Sequence, residues 1–186
     1  MNYGIFDTLS YNNIVNTIFY DNFESGVNSD YWSSDLNLNT ITYDSTNILG
    51  NYSNNTISLS FNELPPHFVI YLSFDLYIFD TWDCFPDQTD IFGLSIENTN
   101  IIYSSFTNNP SCNQCFPSNC DEDNNLLYSG TEGATLTNLP DLIGGGSGTS
   151  VYTIRISYLH GNDSLLINFF GSGLSPTWDE SWGITN

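Results

Sequence analysis

The chain has 186 residues, with 21 Asp and Glu against a single basic side chain, Arg155, for a formal net charge of −20. That balance excludes nucleic-acid binding, which draws on Lys and Arg to neutralise phosphates, and a polybasic hold on anionic lipid. It also excludes P-loop and Schiff-base chemistry, which need a lysine.

The predicted elements are strands from the start. Tyr3, Ile5, Leu9 and Tyr11 alternate with polar residues, with Asp7 the only break in that face. This arm, residues 1–18, has two readings. It is an ordinary first strand, or it leaves its own domain and completes a neighbour's sheet by β-addition. Val15–Tyr20 is a β-branched and aromatic run. Thr56–Phe61 alternates, with Ile57, Leu59 and Phe61 on one face. His67–Phe79 is the longest run and is bulky on both faces, as in a central strand. Ile91–Ile96 and Asn100–Phe106 read as a hairpin through Glu97-Asn98-Thr99. Residues 107–149 read as mostly irregular, with a glycine-rich tip at 144–148. Val151–Tyr158 and Leu165–Phe170 are expected to pair through Gly161-Asn162-Asp163, and Trp182-Gly183-Ile184 starts a last strand. Short strands at this spacing predict an all-β jelly-roll sandwich over 19–186, with the arm before it.

Aromatic residues make up 16 % of the chain and hydrophobic residues 40 %. A core is available, and disorder is not expected despite the charge. No apolar run reaches the ~18 residues of a membrane helix. Residues 1–7 lack the basic and apolar regions of a signal peptide. A secretion signal is therefore expected outside this numbering, or the chain is one module of a longer protein. Amide- and hydroxyl-rich turns without lysine suit an extracellular protein.

Cys84, Cys112, Cys115 and Cys120 are an even set in such a chain and favour disulfides, with three possible pairings. The competing readings are a Cys₄ zinc site, weakened by the lack of a second C-x₂-C, and free thiols. Asn51, Asn54 and Asn162 head glycosylation sequons, and in so Asn-rich a chain they also match by chance.

Two acidic-aromatic clusters stand at strand ends. One is Phe79-Asp80-Thr81-Trp82-Asp83, followed by Asp87 and Asp90; the other is Trp178-Asp179-Glu180-Ser181-Trp182-Gly183. Excess negative charge opposes compaction, and calcium takes six to eight oxygens from such loops. Asp80, Asp83, Asp90, Asp179 and Glu180 are the candidate ligands of a structural calcium; solvated acidic turns are the plain alternative. Trp82, Trp178 and Trp182 are candidate glycan-stacking residues. Catalysis is not expected. Adjacent Asp179 and Glu180 point to opposite faces of a strand and cannot flank one glycosidic bond. Gly145-Gly146-Ser147-Gly148-Thr149 misses the nucleophile-elbow pattern at its last residue. His67 and His160 read as structural imidazoles. Arg155 reads as a buried, bidentate ion-pair partner.

Asp21-Asn22-Phe23-Glu24, Leu64-Pro65-Pro66-His67, Asp80-Thr81-Trp82-Asp83 and Asp179-Glu180-Ser181-Trp182-Gly183-Ile184 together resemble a group of secreted bacterial and protist modules. That group is similar to MAM and carbohydrate-binding modules, and the resemblance runs from Phe19 to Asn186. It implies an extracellular jelly roll without enzyme activity. Two departures stand out. Cys84 takes the place of a usual glycine, so the disulfides are a local elaboration. The group's last strand usually runs beyond the Trp-Gly-Ile stretch, whereas this one stops at Ile184-Thr185-Asn186. A shortened strand leaves an unpaired edge, and the chain carries a spare strand-like arm. The expectation is a structural subunit that assembles with copies of itself, head to tail, into a filament or surface layer. The alternative is a calcium-dependent carbohydrate-binding or adhesion module.

Overall fold

The computed structural model describes residues 6–9, 15–82, 90–106, 116, 131–132, 137–139 and 149–186. Among these there is no helix. The strands are β1 Phe6–Leu9, β2 Val15–Phe19, β3 Trp32–Ser34, β4 Thr40–Tyr43, β5 Thr46–Tyr52, β6 Thr56–Phe61 and β7 Val69–Asp80. They continue as β8 Ile91–Ile96, β9 Thr99–Ser105, β10 Thr131–Glu132, β11 Thr137–Leu139, β12 Thr149–Leu159, β13 Leu165–Ser172 and β14 Glu180–Thr185.

Their pairing is nested. β8 pairs with β9, β7 with β12, β6 with β13 and β5 with β14, all antiparallel. One long hairpin with its tip at Glu97-Asn98 is in effect rolled up. Contacts of β14 with β7 and of β13 with β8 close the roll. The result is two sheets, β4-β5-β14-β7-β12-β10 and β3-β6-β13-β8-β9, which is the jelly-roll order.

Alternation along the strands builds the core. Leu72, Phe74 and Leu76 stand opposite Ile156, Ile154 and Tyr152, and all six are buried. Leu59 and Ile57 stand opposite Ile167 and Phe169 on the facing sheet. The core includes Trp32, Trp82 and Trp182, each with its indole N–H donated to an internal acceptor: Asp21 Oδ2, the Ser181 carbonyl and the Ser53 carbonyl. Buried indoles need such partners. The β4–β5 and β8–β9 turns each place two non-glycine residues at positive φ, Asp44 (47°) with Ser45 (66°) and Glu97 (49°) with Asn98 (64°). That is the hairpin turn whose twist matches its strands.

Two expectations are corrected. β12 and β13 do not form a hairpin; β12 pairs with β7 in one sheet and β13 with β6 and β8 in the other. Stacked sheets lie about 10 Å apart. The segment 160–164 is long enough to cross that gap, where the two-residue β8–β9 turn is not. Arg155 is exposed, not buried. Ile154 and Ile156 take the inward positions of β12, so the residue between them faces out.

The arm has a defined place in its own chain. β12 covers one edge of β7 from Val69 to Phe79. The other edge is shared: β14 covers Asp75–Asp80, and β1 covers Ile70–Leu72. β1 thus occupies the edge where β14 leaves off, with β2 beyond it. Within the single chain, Phe6–Leu9 of the arm thus pairs with the sheet of its own domain.

Candidate cation site

β7 and β14 run antiparallel, with Glu180 opposite Asp80. Ile78 and Trp182, two residues further on, are core residues. By strand parity Glu180 therefore also faces the space between the sheets. Asp90, just before β8, is in phase with the core residues Phe92 and Leu94. These three carboxylates are at most 2 % exposed. They lie at one end of the sandwich: Trp82 packs on Phe106 (ring centroids 6.4 Å), and the Phe106 N–H donates to the Asp90 carbonyl. Trp82 Nε1 donates to the Ser181 carbonyl at 3.0 Å.

Local structure fixes these groups. Asp80 ends β7 at φ 69°, which turns the chain out of the strand. The backbone N–H of Ser175 donates to Glu180 Oε2, and the Asp179 and Glu180 N–H groups both donate to the Pro176 carbonyl. Asp179 is only half-buried. Its Oδ1 accepts from Thr81 Oγ1 at 2.7 Å and its carbonyl accepts the Thr81 N–H at 2.9 Å, so it clamps the exit of β7 to the entry of β14. The structure thus brings four of the five predicted ligands to one end of the roll. The fifth, Asp83, lies outside the described residues, as do Asp87 and all four cysteines.

Burying carboxylates costs several kcal/mol each unless partners compensate. Arg155 supplies no compensation here. It stands opposite Ser73, about 23 Å along β7 from Asp80. A hard cation suits the chemistry of an all-oxygen set. Among the described residues, however, no three His, Cys, Asp or Glu side chains close into a ligand shell.

The other candidates separate cleanly. Trp82 and Trp182 are fully buried, so neither offers a ring face to a glycan, and this corrects their candidacy as stacking residues. Their apolar area is spent on the core, and their N–H groups are spent on backbone carbonyls. Trp178 is 68 % exposed and stands one residue from Asp179. Among the sequons, Asn51 has its Oδ1 buried, and Asn54 exchanges side-chain bonds with both the N–H and the carbonyl of Leu174. Only Asn162 is exposed with no such tie, on the segment crossing between sheets.

Sequence reasoning missed one buried polar pair. His67 and His160, 93 residues apart, stack with ring centroids 4.9 Å apart and share a 2.7 Å hydrogen bond. No spacing rule links residues so distant; only the β7–β12 register brings them together.

No protein-family model, curated protein or solved structure matches this chain.

Proposed function

We propose that this chain is an extracellular structural subunit that assembles head to tail with copies of itself into a filament or surface layer, through exchange of β1. The observation that supports the reading is the place of β1. It completes a shared edge of β7 next to β14, rather than adding a strand to a finished edge. A neighbour's β1 fits the same register, opposite Ile70–Leu72. Backbone hydrogen bonds would supply the affinity.

The attachment of the arm also suits exchange. Among the described strands β2 pairs only with β1, and Val15, Asn16 and Thr17 are exposed. Ile18 and Phe19 anchor it on the core, with the Phe19 ring 5.0 Å from Tyr31 and 5.3 Å from Phe61. Strands with little buried side chain open at low free-energy cost. An extended segment of 13 residues spans about 43 Å, enough to reach a neighbour. Open head-to-tail contacts of this kind give filaments.

The test is deletion of residues 1–13, read by electron microscopy and sedimentation. The full chain should polymerise, more readily with added calcium or salt, which screen the charge of −20. The truncated chain should not form the same polymer. Equal assembly of both, or a full chain monomeric at high concentration with calcium, would reject the reading.

The second reading is a calcium-dependent carbohydrate-binding or adhesion module, favoured by exposed Trp178 beside the acidic end of the sandwich. A bound calcium at Asp80, Asp90, Asp179 and Glu180 serves either reading as a structural ion. Trp178→Ala should abolish glycan retention while leaving stability within about 0.5 kcal/mol. Unchanged retention would remove Trp178 from the account.

A further inference from the structure

The His67–His160 pair ties the foot of β7 to the end of β12, on the edge of β7 opposite the seat of β1. His67 is two residues before β7, and His160 directly follows β12. Both are buried, at 5 % and 7 % exposure. The backbone N–H of His160 donates to the Phe68 carbonyl, which ties the two segments again. β1 pairs with β7 from Ile70 to Leu72, immediately above this clasp.

The hydrogen-bond directions follow from chemistry. Nδ1 of His67 sits 2.7 Å from the Pro65 carbonyl, which can only accept, so Nδ1 carries the proton. Neutral His67 then has a bare Nε2. It accepts from Nδ1–H of His160 at 2.7 Å. Neutral His160 is left with a bare Nε2, which is buried and without a hydrogen-bond partner among the described residues. Glu97 Oε1 lies 4.0 Å from that nitrogen. Glu97 is held in place: its Oε1 accepts from the Leu166 N–H and its own N–H donates to the Leu166 carbonyl.

A first proton has a place, on His160 Nε2 facing the Glu97 carboxylate. A second has none. It would sit on His67 Nε2, donor against donor, across 2.7 Å. The imidazoles must then part, which leaves the foot of β7 held to β12 by backbone bonds alone. The titratable groups acting on His160 are His67 from the β7 side and Glu97 from the β8–β9 turn. Glu63 and Asp163 on the flanking loops are exposed.

We propose that His67 and His160 form an acid-opened latch between the foot of β7 and the end of β12, and that its opening loosens β7 under the seat of β1 on the other edge, so that acidification frees β1 for exchange between copies. The latch stands on this geometry alone. The exchange clause rests on the assembly reading above. Acid also lowers the net charge and eases repulsion generally, so the test needs a variant without the latch. His67→Gln with His160→Asn keeps an acceptor at the first position and a donor at the second, and neither titrates.

Amide exchange is followed by mass spectrometry on the full chain at pH 7.5 and 5.0, corrected for intrinsic rates, with sedimentation at both pH values. In the wild type, exchange over Phe6–Leu9 and Val69–Leu72 should rise about tenfold at pH 5.0. In the double variant it should not change with pH. The same rise in both proteins, or none in the wild type, overturns the latch. A wild-type rise without any change in sedimentation upholds the latch and overturns the exchange clause. If the double variant does not fold, NMR titration of the two wild-type imidazoles decides. Two separate steps, the lower one coinciding with loss of protection at Ile70–Leu72, support the latch; one joint step without such loss overturns it.

Discussion

Gly171 lies directly against the indole of Trp182. A Cβ built on Gly171 would stand 2.7 Å from Nε1 and would overlap the Ser53 carbonyl oxygen to which that nitrogen donates. The bare backbone of β13 is therefore what lets Trp182 reach across from β14 and bond to the end of β5. Gly171→Ala should destabilise the fold by about 1–3 kcal/mol, because backbone has to move. Urea unfolding followed by tryptophan fluorescence reads this, and a loss under about 0.5 kcal/mol would contradict the packing described.

Trp182 should be among the most sensitive positions in the chain. It is fully buried, packs on Tyr52 and Phe92 at 5.4 and 5.3 Å, and satisfies the Ser53 carbonyl. Trp182→Ala should cost about 3–5 kcal/mol from lost burial and the cavity left behind. Trp182→Phe keeps most of the ring but strands that carbonyl, for about 1–3 kcal/mol. The order of the two losses in urea melts checks the argument.

The calcium proposal predicts a chelator response. EDTA should lower the melting temperature by about 4 °C or more, since an ion bound only to the folded state stabilises it by mass action. Asp80→Asn with Glu180→Gln should remove the response. An unchanged melting temperature, with no ion found by metal analysis, would leave the buried carboxylates to protein partners alone.

Stability should fall with acid in the histidine range. Burial, and next the nearby His67, hold the proton affinity of His160 below its ordinary value; Glu97 and the Ser164 backbone oppose this more weakly. The folded state then binds fewer protons than the unfolded state, whose imidazoles take them up around pH 6.5. The stabilising contribution is present above that pH and is lost as pH falls toward the folded-state value. Thermal melts between pH 7.5 and 5.0 should decline more steeply for the wild type than for His160→Asn. Parallel declines would assign the effect to general charge.

Secretion through a eukaryotic pathway should glycosylate Asn162 and leave Asn51 and Asn54 bare, because only Asn162 is exposed without side-chain ties. Glycopeptide mass spectrometry reads the occupancy, and a glycan on Asn54 would contradict its bonds to Leu174.

Strand type was legible in the sequence where apolar residues alternate over a run of about six. Thr56–Phe61 and Ile91–Ile96 coincide with β6 and β8 to the residue, because period-two alternation follows directly from the pleat. The jelly-roll class also followed from strand number and spacing. β3, β4 and β5 were not legible: runs of three and four residues carry too little alternation to stand out, and the apolar residues of Thr46–Tyr52 do not alternate.

What the sequence alone determined was local: which of the alternating segments are strands, how little positive charge is available, and which acidic residues stand at strand ends. The tertiary structure alone decided which strands pair. It sent β12 and β13 to different sheets, buried Trp82 and Trp182 while leaving Trp178 exposed, set β1 beside the end of β14, and joined His67 to His160. The physical reason is that alternation fixes a strand's two faces but not its neighbours. Edges are satisfied by whichever backbone the rolled chain brings alongside, and that depends on contacts between residues as far apart as Ile70 and Tyr158.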